Sequence, residues 1–150
     1  MQTNQHEGYK PFRFEEHTAD VLIEAYGRTL EEAFSNAARA VFEVITDTSK
    51  VEPRECRKVE IEGFDLENTL YKWLEEFLVY FDSEGLVFSK FEVEKIERVG
   101  EGYRVVGMGC GEPFNPEKHE HRTIVKAITY AQMSIERTNG PWKVKFVVDI

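Results

Sequence analysis

The sequence has little of what marks secreted, membrane-bound or zinc-binding proteins. Only two residues are cysteine, Cys56 and Cys110, and they form neither a CxxC metal motif nor a disulfide framework. We therefore expect reduced thiols in a cytoplasmic protein. The first ten residues, MQTNQHEGYK, are polar and do not resemble a signal peptide. No apolar run approaches the roughly 20 residues that a membrane helix needs, so we expect no membrane partner.

Basic residues are also in the minority. The chain has 19 Lys and Arg against 28 Asp and Glu, which gives a formal net charge of −9. Tight independent binding to nucleic acid needs basic side chains facing phosphates, so this composition argues against it. A basic protein partner or a cation suits the charge better.

What is present is typical of a globular domain. Hydrophobic residues make up 41% of the 150 positions, charged residues make up 31%, and there are 11 phenylalanines to fill a core. No internal repeat, low-complexity tract or linker divides the chain. We therefore predict a single domain over residues 1–150.

Two helices are predicted from capping residues and apolar spacing. Thr29 and Glu32 form a capping box ahead of a helix that runs to Ile45. Asp65 caps a second helix, which Gly85 ends. Trp73 and Phe77 belong to the buried stripe of that helix.

The remaining segments favour strands, because their apolar residues alternate with polar ones. Residues 109–120 contain two prolines and are predicted to form a loop, and residues 123–137 are predicted as a strand with a bulge near Ala131. Asn139-Gly140 is typical of a hairpin turn. The predicted strands cover residues 9–16, 20–26, 57–62, 86–99, 103–108, 123–137 and 142–150. The pattern predicts an α+β two-layer sandwich, with two helices on one face of a mostly antiparallel sheet.

The chain end carries the first candidate site. Ile150 continues the apolar alternation of the last strand, so its side chain is expected in the core and its α-carboxylate is held in place. Asp149 points to the opposite face. Two negative groups held this close favour a cation between them, and oxygen ligands suit Ca²⁺ or Mg²⁺. Spacing alone does not connect them with Asp20, and a turn-capping Asp20 with a solvated Asp149 is the alternative interpretation.

Four segments resemble the archease family in the same order along the chain. They are "HTADVLIEAYGRTLEEAFSNAARAVFEVITD", "LYKWLEEFLVYFD", "KHEHRTIVKAITYAQMSI" and the terminal "VVDI". One departure is Leu22, where the family more often has glycine, and it leaves Asp20 untouched. The resemblance implies the family fold, an α+β sandwich of strand-helix-strand-strand type with an inserted module.

The resemblance also implies a function. Archeases are protein cofactors of the RtcB-type RNA ligase of tRNA splicing, and they are not ligases themselves. They help the ligase to acquire its guanylyl group and turn over repeatedly, and they broaden its nucleotide use. The family carries a divalent cation site, usually assigned to Ca²⁺, and the matching positions here are Asp20, Asp149 and Ile150. His17 would then orient the motif. His119 and Lys126 match family positions, so contact with the partner is expected of them.

Other patterns give weaker alternatives. His119-x-His121 has metal-ligand spacing, but a solvated loop explains it without any further ligand. Gly107-x-Gly109-x-Gly111 lacks the spacing of a phosphate-binding loop, and a turn or bulge is the simpler interpretation. The alternative function is a free-standing metal-dependent hydrolase that uses the same acidic cluster. A general chaperone is a third hypothesis, although the sequence shows no large exposed apolar surface.

Overall fold

The computed structural model describes residues 11–16, 20–137 and 139–150. The described elements are β1 (Phe12–Glu16), β2 (Asp20–Gly27), α1 (Leu30–Ile45), β3 (Glu55–Gly63), α2 (Leu66–Glu84), β4 (Leu86–Val99), β5 (Gly102–Pro113), β6 (Ala127–Arg137) and β7 (Trp142–Asp149). A short 3₁₀ turn at Thr48–Lys50 follows α1. The predicted α+β class is confirmed, since two helices pack on antiparallel strands.

The strands are divided between two sheets. Sheet A has the order β1-β2-β7-β6, and sheet B has the order β3-β5-β4. α1 contacts β2 and β7 of sheet A and also β4 of sheet B, whereas α2 contacts β3, β5 and β6. The alanines of α1 allow this close packing on two sides: Ala33, Ala37, Ala38 and Ala40 are all buried.

Both helices begin as the sequence predicts. The Glu32 amide donates to the Thr29 hydroxyl at 3.0 Å, and the Asn68 amide donates to Asp65 at 2.7 Å. Gly85 ends α2 in the left-handed region, at φ 69°. Trp73 is fully buried, and its indole N–H donates to the Phe34 carbonyl of α1 at 3.0 Å, which ties the helices together.

The glycine repeat lies within strand β5, and Gly107 and Gly111 lie at the two register shifts between β4 and β5, so the repeat belongs to a bulged strand pair and not to a turn. A side chain at Gly107 would meet Trp73, and one at Gly109 would meet Phe77 at 2.6 Å. The repeat therefore lets the helix α2 aromatics lie directly against the sheet.

The prediction of reduced thiols is wrong. Cys56 and Cys110 occupy facing positions of β3 and β5, with Cα atoms 4.0 Å apart, and they form a disulfide. The sequence prediction ended β5 at Met108 and so left Cys110 in a loop, whereas the strand continues to Pro113. Extending the strand brings the two cysteines opposite each other.

The last hairpin follows the prediction more closely. The register of β6 with β7 is interrupted between Thr129 and Ser134, which confirms the bulge near Ala131. Asn139 and Gly140 have positive φ values, as their turn requires. None of the helices in the described part of the chain is long and apolar enough to cross a membrane.

Candidate metal site

The alternation of β2 and β7 decides which side chains face the helices. Three facing pairs enter the core from these strands: Val21–Val148, Ile23–Phe146 and Ala25–Val144. Side chains at the intervening positions point to the other face of sheet A.

Asp20 and Asp149 are such intervening residues, and they face each other. They are the paired residues at the ends of β2 and β7. The β-carbons of directly facing residues lie about 4.5–5.5 Å apart, so both carboxylates share one small region of the sheet surface. Asp20 is half-buried and Asp149 is exposed.

Ile150 behaves as its position in the alternation predicts. Its side chain is partly buried and packs against the core, on the face opposite Asp149. The end of β7 is also held by the neighbouring strand, because the Lys126 amide donates to the Asp149 carbonyl at 2.8 Å. Ala127 then faces Asp149 from β6. Three strands therefore converge at the chain terminus.

The donors at this point fit a hard cation. Asp20, Asp149 and the terminal carboxylate of Ile150 offer only oxygen, which Ca²⁺ and Mg²⁺ prefer. Among the described residues, no group of three or more His, Cys, Asp or Glu side chains is placed to hold a metal. Asp20, Asp149 and Ile150 remain the candidate ligands. His17 lies outside the described residues.

A second polar cluster was missed by the sequence analysis. It consists of Glu52, Arg54, Glu112, Lys118 and His119, and we call it the Glu112 cluster. Glu112 and His119 are only 2% and 3% exposed, so the prediction of a solvated loop is wrong for His119, while His121 is exposed. The cluster was missed because the predicted strand ended at Met108. The observed β5 runs to Pro113 and carries Glu112 beside the 114–120 segment.

His119 is held on both ring nitrogens. Nδ1 accepts the Asn115 amide at 2.8 Å, so the ring proton lies on Nε2 and is donated to Glu112 at 2.9 Å. The Glu112 carboxylate also accepts the Glu52 amide at 2.9 Å and contacts Lys118 Nζ at 2.8 Å.

These contacts fix the charge of Glu112. Burial alone would raise its pKa, but the hydrogen bonds from the Glu52 amide, Lys118 and His119 lower the pKa to about 2. The same contact raises the pKa of Lys118. An adjoining cleft of about 460 Å³ is lined by residues of this cluster together with Phe114 and Asn115. The contacts of Glu112 with Lys118 and His119 anchor the segment that contains these two residues and leads to Lys126.

Comparison with known sequences identifies the family of this chain. The sequence profile of the Archease protein family (MTH1598/TM1083) matches residues 12–150, which include Asp20, Asp149 and Ile150. The chain belongs to the archease family. Protein archease of Aeropyrum pernix is 63% identical over 136 residues, which cover 91% of this chain and 94% of that protein. Protein archease of Sulfurisphaera tokodaii is 58% identical over 139 residues, which cover 93% and 98%.

Solved archease-like structures agree in fold. The solution structure of Methanobacterium thermoautotrophicum protein 1598 superimposes with a TM-score of 0.81 at 45% identity and covers 93% of this chain and 99% of that one. A Thermotoga maritima crystal structure, described as an archease and possible chaperone, has a TM-score of 0.55 at 24% identity, with 97% and 100% covered. At that identity the second structure supports the fold alone.

Proposed function

We propose that this archease is a protein activator of an RtcB-type RNA ligase in tRNA splicing. In this role it promotes guanylylation of the ligase and its multiple turnover, broadens the nucleotides that the ligase accepts, and has no ligase activity of its own. The observation that carries the proposal is the facing position of Asp20 and Asp149 at the chain terminus. It is the point at which the archease sequence motifs from the two ends of the chain meet.

A bound cation would offset the like charges of the acid pair. Like charges directly opposite each other in a sheet destabilise it, and burying one of them partly increases the cost. Asp20, Asp149 and the Ile150 carboxylate would hold a divalent cation, probed first as Ca²⁺, and the bound cation would supply positive charge for anionic groups of the ligase centre. Strand pairing and the hydrogen bond from the Lys126 amide to the Asp149 carbonyl hold the backbone that carries the two carboxylates.

The charge of the whole chain supports a protein partner. A net charge of −9 disfavours binding to RNA phosphates but favours docking on the basic surface by which a ligase binds RNA. The ligase would thus contact the RNA, and this chain would contact the ligase. Lys126 is exposed next to the acid pair and is placed to take part in that contact.

A multiple-turnover ligation assay tests the proposal. Trace ligase is given an excess of RNA with a 3′-phosphate end and a 5′-hydroxyl end, with GTP, in the presence or absence of this chain. We expect little product beyond one turnover from the ligase alone and repeated turnover when the chain is added. The chain without ligase should convert neither RNA nor nucleotide. Hydrolysis of either substrate by the chain alone would instead support the hydrolase alternative.

A further inference from the structure

Three aromatic residues lie near the start of α2, and two of them are strongly exposed. Phe64 is 73% exposed and Tyr130 is 48% exposed. The rings of Tyr71 and Tyr130 stack in parallel, with centroids 4.6 Å apart and planes at 9°. We call Phe64, Tyr71 and Tyr130 the aromatic patch. Exposed aromatic rings at fixed positions are typical of contact surfaces between proteins.

One buried amide holds the patch together. Asn68 is 7% exposed. Its Oδ1 accepts the Phe64 amide at 3.1 Å, and its Nδ2 donates to the Tyr130 hydroxyl at 2.8 Å. Tyr130 is therefore fixed by its ring and by its hydroxyl while half of it remains exposed. A pre-organised ring loses little conformational entropy when a partner binds.

The bulge in β6 lies at the patch. Tyr130 falls within the stretch between Thr129 and Ser134 where pairing with β7 is interrupted, and Gln132 adopts a φ of 55°. A left-handed conformation is costly for a residue other than glycine, and bulges often re-aim a side chain near a functional surface. Here the bulged stretch carries the tyrosine that stacks on α2.

Carboxylates flank the rings. Glu67 and Glu75 lie four residues before and after Tyr71, so they share its face of α2. Burial and the adjacent Glu75 carboxylate raise the pKa of Tyr71. The neighbouring Lys72 ammonium is bound to the Glu62 carbonyl at 3.0 Å. The patch thus combines aromatic faces with negative charge.

Arginine side chains cover other rings of this chain. The pairs are Arg39 over Phe12, Arg57 over Tyr80, Arg98 over Tyr103 and Arg137 over Trp142. In the part of the chain that the structure describes, none of the arginine–ring contacts involves the aromatic patch. The exposed rings of Phe64 and Tyr130 can therefore receive cations from another molecule.

We propose that the aromatic patch docks on the basic protein surface of the ligase, with ligase arginines lying over its rings and pairing with Glu67 and Glu75. This inference rests on the proposed function and assigns the contacting face. Tyr130 comes three residues after Ala127, the residue that faces Asp149. The Tyr130 ring stacks on α2 on the helix side of sheet A, whereas Asp149 points to the opposite side. β6 is an edge strand of sheet A and three strand residues span about 10 Å, so a partner that wraps around this edge reaches both the aromatic patch and the acid pair.

Binding of purified ligase without RNA, measured by isothermal titration calorimetry, tests the inference. Phe64→Ala should weaken binding about tenfold or more, as removal of a central aromatic contact does. Glu75→Lys should weaken it as well, because it places a cation against a basic surface. Met108→Ala is the matched control, since Met108 is 38% exposed on strand β5, on the face of sheet B that points away from α2, and it should change affinity less than twofold. All three variants should melt within a few degrees of the parent.

The outcomes separate this inference from the proposed function. If the parent binds and activates the ligase while Phe64→Ala and Glu75→Lys bind as tightly as the parent, the aromatic patch is not the docking face and the proposed function stands. If the parent neither binds nor activates the ligase, both proposals fail. If Phe64→Ala instead loses affinity for a single-stranded RNA oligonucleotide and keeps its affinity for the ligase, the patch stacks on bases and the docking proposal is overturned.

Discussion

Asp20 and Asp149 face each other across neighbouring strands, an arrangement in which like charges are unfavourable. Asp20→Asn and Asp149→Asn should each stabilise the metal-free protein, by about 0.2–1 kcal/mol. Each should also weaken Ca²⁺ binding about tenfold or more, because one of the few charged ligands is lost. Melting with and without Ca²⁺ measures both effects, since a ligand that binds only the folded state raises its stability.

Glu24→Gln is the control for this pair. Glu24 lies on the same face of β2, but it faces Lys145 and contacts Arg13 and Lys143. Its removal should leave the Ca²⁺-induced shift unchanged. A full Ca²⁺-induced shift in either aspartate variant would show that these carboxylates do not share an ion.

Glu112 should control acid stability. Its folded pKa of about 2 lies below the ordinary value of 4.5, so its contribution is present above about pH 4.5 and is lost as the pH falls towards 2. We expect about 1–3 kcal/mol from this contribution, because its cationic partners Lys118 and Arg54, which contact Glu112 at 2.8 and 3.0 Å, are partly exposed and screened. Glu112→Gln should destabilise the protein at pH 7 and flatten its stability profile between pH 4.5 and 2. Urea unfolding across this pH range measures both effects.

Glu52→Gln serves as the comparison for Glu112. Glu52 supplies its amide to the cluster, which the substitution retains, and its side chain is 60% exposed. Its effect should stay within about 0.5 kcal/mol. Equal losses in the two variants would contradict the importance of the buried carboxylate.

At the level of single residues, the sequence predicted the exposure of side chains that follows from strand alternation. It missed the contacts between side chains of distant segments. The exposure of Asp149 and the partial burial of Ile150 follow from a strict period of two. The pairing of Glu112 with His119 depends on how a loop folds back over the end of a strand, and no local pattern encodes that contact.

The pairing of strands β3 and β5 is reinforced by the disulfide between Cys56 and Cys110, which are 54 positions apart. Closing a loop of that size restricts the unfolded chain and typically stabilises a protein by about 2–4 kcal/mol. The double variant Cys56→Ser, Cys110→Ser should therefore melt at a lower temperature than the parent under oxidising conditions. Reductant should lower the melting temperature of the parent and leave that of the double variant unchanged. An unchanged melting temperature of the reduced parent would contradict stabilisation by the disulfide.

The end of strand β7 should not tolerate an extension. A tag after Ile150 turns the terminal carboxylate into an amide, which removes a charge and one oxygen from the proposed ligand set. The C-terminally tagged protein should show a smaller Ca²⁺-induced melting shift than an N-terminally tagged form. Deletion of Ile150 should be worse, because it removes a side chain packed on the core. Equal Ca²⁺-induced melting shifts for the two tagged forms would mean that Ile150 contributes only core packing and is not a ligand.

Elements were predictable where local chemistry specifies them. The Thr29 and Asp65 caps, the Gly85 stop and the bulge in β6 each have a physical signal in a few neighbouring residues. Two features depend on distant parts of the chain: the continuation of β5 through its glycines and the division of the strands between two sheets. Glycine is usually a strand breaker, and close contacts with strand β4 and with the aromatic rings of α2 explain why it is needed at Gly107 and Gly109.

On the scale of the whole molecule, strand pairing joins the two ends of the described chain at the candidate metal site. β2 lies near one end and β7 at the other, and their pairing brings Asp20 and Asp149 together. The charge of −9 then favours a basic partner around that point. The central claim is that the two aspartates act as one cation-dependent unit in activating an RNA ligase.

A double-mutant cycle of ligase activation tests that claim most directly. Multiple-turnover ligation is measured with trace ligase and Ca²⁺ for the parent, Asp20→Asn, Asp149→Asn and the double variant. Because residues that act as a unit are non-additive, each single variant should lose most of the stimulation and the double variant should lose little more. Full stimulation by either single variant, or losses that simply multiply in the double variant, would contradict a shared site.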